Sequence, residues 1–369
     1  MKRINQIEPL LGIEEKNELV SVMDSGWYTE SKKTRDFENM FSSLTKSKYA
    51  VAVTSGTTAL FLGLKALGIG LGDEVIVPDL TFVASPNSVE LTGAKPILVD
   101  IEPKSLNIDL KKIGKLVTKK TKAIMPVDFN GRSTDMKILK EFADKHNLSL
   151  VEDACHAIGS FHETGHHMGT QSDVGIFSFS TPKIITTGQG GMIITNNKKI
   201  YENCLSLKDF GRDTSKKQNM LNAFKHDVIG YNFKFTEFQA AVGIAQMKKL
   251  KQRMLIKKKL FRLYREQLEK FNEIDFIDTD LNKITPWMID IIIKNKKLKN
   301  KVIVNLKENN IETRIFYPPI HNLKPYKNSD KKFPVSSNIS SRGLWLPSSV
   351  SLTDDQVIRI SKAISNLFR

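Results

Sequence analysis

Between residues 49 and 196 the chain carries seven short apolar runs, "YAVAVT", "EVIVP", "KPILVD", "KAIMPVD", "LSLVED", "GIFSFS" and "GMIITN", separated by polar segments. Runs this short and this rich in Val and Ile predict strands. The segments between them read as helices or loops, so the pattern is that of a mainly parallel sheet with crossover helices. From residue 235 the rhythm lengthens: "FQAAVGIAQMKKLKQRMLIKKKLFRLYREQLEKF" predicts one long helix that bridges two domains. Residues 272–369 mix short strands with helices, enough for a small α+β domain. The expected division is a large domain over 1–250, N-terminal segment included, and the bridging helix with a smaller domain over 251–369. Neither an internal repeat nor a low-complexity linker interrupts the pattern.

A chain of 369 residues exceeds what one compact core usually holds, in keeping with two domains. No apolar run is long enough to span a bilayer, and the opening "MKRINQIEPLLG" lacks the apolar core and small-residue cleavage site of a signal peptide, so a cytoplasmic protein without membrane partners is expected. Two cysteines, Cys155 and Cys204, are too few and too unpatterned for a disulfide framework or a zinc site. The formal charge of +16 favours encounter with anionic ligands. Nucleic acid is not the expected one: the most basic run, "KNKKLKNK", has no interleaved aromatics and reads as a solvated face. Small phosphorylated substrates fit the charge as well.

Four segments place polar groups at predicted strand ends, where open α/β sheets bind their ligands. "VAVTSGTTALFLGLKAL" passes from a strand through Ser55, Gly56, Thr57 and Thr58 into a helix, whose free N–H groups make an anion site, or simply a capped helix. "VPDLTFVAS" sets Phe82 just beyond a strand, where its ring lies against a flat ligand or in the core. "LSLVEDACHAIGS" ends a buried strand with Glu152 and Asp153, which need a partner: a protonated ring nitrogen, or a hydrogen bond from a nearby loop. "FSFSTPKIITTGQGG" holds Ser178 at a strand end and Lys183 five residues later, before a glycine turn. A lysine kept there can lose its proton and act as a nucleophile that forms a Schiff base. A phosphate cradle, a stacking ring, a carboxylate and a nucleophilic amine are together what pyridoxal phosphate requires.

The chain resembles the fold-type I pyridoxal-phosphate enzymes, specifically the DegT-type nucleotide-sugar aminotransferase family. The likeness rests on "SGTTAL", "GDEVIVPDLTFVAS", "VEDACHAIG", "FSFSTPKIITTGQGGMIITN", "IGYNFKFTEFQAAVGIAQ", "IETRIFYPPIH" and "GLWLPSSVSLT", in the family's order and over nearly the whole chain. It implies a seven-stranded, mainly parallel sheet in the large domain. By position, Lys183 matches the lysine that holds the cofactor's aldehyde and Asp153 the partner of its pyridine nitrogen. Phe82 matches the stacking ring, and His156 the polar residue near the cofactor's 3′-oxygen. Gly56, Thr57 and Ser178 match phosphate contacts. Asn232 matches a phosphate contact supplied by a second subunit, implying a homodimer with shared sites. Arg314, Tyr317 and His321 match the stretch beside the sugar nucleotide. The implied reaction takes an amino group from L-glutamate to a nucleotide-linked keto sugar. Likeness to the perosamine-forming branch in "GYNFKFTEFQAAVGIAQ" favours GDP-4-keto-6-deoxymannose, giving GDP-perosamine, over dTDP- or UDP-linked ketones. Arg314 and Lys234 are the basic groups expected to meet the diphosphate.

Some positions depart from the family's pattern. Gln189 stands where a glutamate is usual, and Lys234 replaces a frequent arginine. "PVDFNGRSTDM" has Asp128 and Asn130 where the branch more often has histidine and tyrosine, and "WYTESKKTRDFE" lacks the common "GP"; both are expected where substrates are chosen. "HETGH", residues 162–166, fits the H-E-x-x-H zinc-protease pattern, but Gly159, Gly165 and Gly169 argue against the helix that chemistry needs. A hairpin and no metal are expected there.

Overall fold

The computed structural model describes residues 2–213 and 225–368. All seven apolar runs are strands: β1 (Tyr49–Val53), β2 (Glu74–Pro78), β3 (Lys95–Val99), β4 (Thr121–Ile124), β5 (Ser149–Asp153), β6 (Val174–Ser178) and β7 (Gly191–Thr195). They form one sheet in the order β1-β7-β6-β5-β4-β2-β3. Every pairing is parallel except those of β7, which runs antiparallel to β1 and β6. Consequently β1, β2, β5 and β6 all finish at one edge, and the register Ser178↔Gly191 returns β7 to that same edge.

Both faces of the sheet are covered. Val51, Leu60, Val75, Val151 and Ile176 pack on one side, and Phe37, Phe41, Phe177, Phe179 and Phe235 on the other. Fully burying an aromatic or aliphatic side chain of this kind contributes roughly 1.5–3 kcal/mol. The second face depends on a close approach between helix Lys32–Thr45 and the start of the long helix, Glu237–Leu268. A Cβ at Gly243 would lie 2.8 Å from the Phe37 ring. A side chain there would wedge the two helices apart.

The long helix starts at Thr236, whose hydroxyl accepts from Gln239 N (3.2 Å) in a capping box. Its 32 residues span about 48 Å. Ala240, Ile244 and Leu250 belong to the large-sheet core, whereas Leu260, Phe261, Tyr264 and Leu268 belong to the core of the C-terminal part. That part is an antiparallel sheet, ordered β10-β11-β9-β8, of β8 (Ile274–Phe276), β9 (Ile289–Ile293), β10 (Arg314–Ile315) and β11 (Gly343–Leu346). Helices Lys296–Glu308 and Asp354–Ser365 flank it.

Two buried polar contacts lock the two sheets together. Arg132 forms a two-armed ion pair with Asp290 on β9. Asn130, in the left-handed conformation (φ 57°), both donates to Met288 O and accepts from Met288 N at 2.7 Å. No helix among the described residues is long and apolar enough to cross a membrane.

Candidate active site

The strand ends at the common edge enclose a cleft of about 240 Å³. After β1 the chain turns at Ser55 into helix Gly56–Ala66. Ser55 Oγ accepts from Thr58 N (3.1 Å), and Ser55 N donates back to Thr58 Oγ1 (2.9 Å). This cap uses one amide and leaves those of Gly56 and Thr57, which have no partner within the helix, at the cleft wall. Gly56 is required there: a Cβ would lie 2.9 Å from Ser178 Cβ and 3.3 Å from Cys155 Sγ. The helix start thus sits directly against the end of β6.

β5 delivers Asp153 to the cleft floor, almost fully buried. Its Oδ2 accepts from Ser85 Oγ at 2.7 Å and its Oδ1 from Cys155 N at 3.2 Å. Glu152, next along the strand, points to the opposite face, where Gly169 N (2.7 Å) and His162 Nε2 (2.7 Å) meet it. Alternation of side chains along a strand therefore gives the two carboxyls separate surroundings. Phe82 lies half exposed at the cleft wall, its ring 5.3 Å from that of Tyr317.

Lys183 sits in the turn after β6, its amide donating to Ser180 O (2.9 Å). Its Nζ lies 4.1 Å from the centre of the Trp287 ring. Among the described residues none accepts a hydrogen bond from it. Burial brings its pKa down to about 8, against the pull of the Asp153 carboxylate and with help from Arg314. His156 also stacks on Trp287, ring centres 3.9 Å apart and planes at 25°. Burial first, and then Lys183, Arg314 and Arg132, hold its pKa well below the usual histidine range, so the ring is neutral at pH 7. Burial and Asp153 push the Cys155 thiol well up, which leaves it protonated. Arg314 rests against Tyr317 and Trp345, 5.6 and 5.8 Å from their ring centres, with an exposed guanidinium that makes no ion pair among the described residues.

The fold thus brings Gly56, Thr57, Phe82, Asp153, His156, Ser178, Lys183, Arg314 and Tyr317 around one space. His321 does not line it. That side chain is fully buried, with Nδ1 2.7 Å from Asp79 Oδ2 and Nε2 2.6 Å from Asp330 Oδ1. Asn232 is exposed and also outside the cleft of its own chain. Lys234 is paired with Asp209 at 2.6 Å and stays out of the cleft. Asp128 and Asn130 are buried behind the cleft, Asn130 being committed to Met288. The "HETGH" segment is a hairpin: Phe161 bridges His167, and His162 N donates to His166 O (2.8 Å). Trp287 and Ser85 escaped the reading of the sequence. A single Trp in "ITPWMID" carries no local signal, and it reaches Lys183 only because the small sheet docks beside the turn.

Fold and cleft together define an α/β enzyme that joins an amine of lowered pKa to a helix-start anion site and a buried carboxyl. The family profile of the DegT/DnrJ/EryC1/StrS aminotransferases matches residues 9–365. The chain belongs to that family and is an aminotransferase. It is 36% identical over 369 residues to the GDP-perosamine synthase of Escherichia coli O157:H7, covering 100% of this chain and 99% of that one. It is 37% identical to the GDP-perosamine synthase of Vibrio cholerae, covering 98% of each. Among solved structures, S. venezuelae DesV superposes with a TM-score of 0.89 at 29% identity, covering 96% and 94% of the two chains. NtdA of Bacillus subtilis, solved with bound cofactor PMP, gives 0.86 at 28% identity over 96% of this chain and 81% of that one. Pyridoxal phosphate is the cofactor the family implies.

Proposed function

We propose that the protein transfers the amino group of L-glutamate to C4 of GDP-4-keto-6-deoxymannose, forming GDP-perosamine, in a homodimer with shared active sites. The observation that carries the reading is the meeting of Lys183, Asp153 and the Gly56–Thr57 helix start in one cleft, in a chain whose relatives from two organisms are GDP-perosamine synthases over their full length.

The residues present fit pyridoxal phosphate. The amides of Gly56 and Thr57, with Ser178 beside them, offer donors for its phosphate, and a side chain at position 56 would fill that cradle. Asp153 retains acceptor capacity beyond its bonds to Ser85 and Cys155, as a ring-nitrogen partner must. Phe82 presents a half-exposed ring, and neutral His156 is held flat by Trp287. When bound, the cofactor supplies an aldehyde that takes up the amino group and a ring that withdraws electrons from the bond being broken.

Lys183 Nζ, with a pKa near 8, is about one-tenth free base at pH 7, several hundred times more than a lysine of ordinary pKa. It is the group that takes the proton from Cα of the amino donor and delivers one to C4 of the sugar. Arg314, without an ion pair among the described residues and braced by two rings, meets the anionic part of the sugar nucleotide at the cleft mouth. Exposure of Asn232 outside its own cleft is in keeping with service to a partner subunit's site. If so, mixing Asn232→Ala with Lys183→Ala subunits restores part of the activity, since a hybrid dimer holds one intact site; hybrids without activity would refute sharing.

The main test is a half-reaction. Enzyme loaded with glutamate and freed of excess donor is given GDP-, dTDP- or UDP-linked keto sugars in turn, with products read by mass spectrometry and the cofactor by its visible spectrum. An amino sugar formed only from GDP-4-keto-6-deoxymannose supports the full reading. A product only from another nucleotide removes GDP, and reaction only with simple keto acids removes the sugar.

A further inference from the structure

Lys183 lies in a turn that belongs to neither a helix nor a strand, so the backbone groups on either side of it need partners from elsewhere. Those partners come from two other parts of the molecule. Before Lys183, the Pro182 carbonyl accepts from Trp287 Nε1 at 2.7 Å, and Trp287 precedes β9 of the small sheet. After it, the Ile184 carbonyl accepts from Arg253 Nη1 at 2.9 Å, and Thr186 N donates to Gln246 Oε1 at 3.3 Å, both from the long helix. Arg253 Nη1 also donates to Gln246 Oε1 (2.6 Å), and its Nη2 to Leu10 O (2.7 Å). Arg253 is itself buried, so its fork cannot swing away to water. The ring of Trp287 that grips Pro182 is the same ring that lies 4.1 Å beneath Lys183 Nζ and stacks on His156.

We propose that Arg253 and Trp287 are positioning residues for Lys183, clamping the carbonyls on its two flanks so that its amine stays over the Trp287 ring inside the cleft. This inference rests on the reading of Lys183 as the reactive amine. Arg253 acts only through the turn, whereas Trp287 both holds the turn at Pro182 and lies under Nζ. Docking of the small sheet and of the long helix thereby becomes a condition for a correctly aimed amine. Loss of either grip lets the turn relax and the amine move towards water, where its charged form is better solvated.

The test is competitive trace acetylation of cofactor-free protein with acetic anhydride across pH 6–11, reading each lysine by peptide mass spectrometry. It needs neither cofactor nor sugar, so a failure of the functional reading leaves its result intact. Trp287→Phe keeps a ring under Nζ but deletes the bond to Pro182; Arg253→Lys keeps the charge but loses the fork that ties Ile184 O to Leu10 O. In both, the midpoint for Lys183 is expected to rise from near 8 by roughly one pH unit towards that of the exposed lysines. Tyr264→Phe is the control, since Tyr264 Oη donates to Pro347 O (3.0 Å) and makes no hydrogen bond to the turn among the described residues. It should lower the melting temperature without moving Lys183. Unchanged midpoints in both clamp variants, or an equal rise in Tyr264→Phe, would overturn the proposal.

Discussion

Lys183 and Lys257 are both desolvated lysines, and their surroundings show what separates a reactive amine from a structural one. Lys257 is the more deeply buried, on the long helix, where Nζ donates to the Ser348 carbonyl. Burial alone brings its pKa down to about 7. Lys183 is brought to about 8, yet keeps an open side facing the cleft. The two line one small cavity together with Arg253 and Ser348. A lowered pKa is therefore common to both, and what differs is convergence. Around Lys183 stand a buried carboxyl, a helix start and a half-exposed ring, whereas Lys257 faces a single carbonyl that it already satisfies. Desolvation makes an amine available, and only room for a ligand with groups to hold it makes the amine useful.

The comparison breaks most sharply if the two lysines are removed separately. Lys183→Ala is expected to abolish transamination, and borohydride reduction of loaded wild-type enzyme should fix the cofactor to peptide 183 alone. Recovery of the cofactor on Lys257, or measurable turnover by Lys183→Ala, would reverse the assignment. Lys257→Met should leave transamination close to wild type.

The next effect is on stability. The unfolded chain keeps the Lys257 proton up to the ordinary value of 10.5, whereas the folded chain releases it near 7. Between these values the unfolded state binds more protons, so stability rises with pH. That increment should be on the order of 3–4 kcal/mol by pH 10 and missing from Lys257→Met in denaturant titrations. Parallel pH profiles for the two proteins would show that Lys257 is not desolvated as described.

Asp153→Asn preserves shape around Ser85 and Cys155 but removes the charge that favours a protonated ring nitrogen. A charge-assisted bond of this kind contributes about 1.5–3 kcal/mol, so a fall in kcat of roughly 10- to 150-fold is expected, with Tm little changed. Near-normal turnover would exclude that role. The smallest effect concerns the junction behind Arg253. Glu15 is partly desolvated, but bonds from Lys249 and Gln246 and from Gly12 N hold its pKa at about 2. Its contribution is full above the unfolded value near 4.5 and is lost as pH falls towards 2. Acid titration of Glu15→Gln should accordingly be flatter over that window than that of wild type.

Much of this molecule was legible along the chain. The seven apolar runs became the seven strands because short Val- and Ile-rich segments between crossovers have few other ways to bury both faces. Ser55 and Thr58 capped the predicted helix, and Ser178 and Asp153 stood at strand ends, because capping and strand alternation depend on near neighbours in sequence. The family's motifs brought Phe82, His156, Arg314 and Tyr317 to the same cleft. Long-range contacts were not legible. His321, read as a cleft residue, lies buried between Asp79 and Asp330, and Lys234 is spent on Asp209. Asn130, read as a substrate position, holds Met288 across the two sheets. Trp287 and Arg253 are 104 and 70 residues from Lys183 in the chain and meet its turn only after both sheets have docked on the long helix. Local pattern thus determined which residues were equipped for the chemistry. Packing between distant segments decided which of them share one space, because a side chain's desolvation and its partners are set by whatever the rest of the chain places around it.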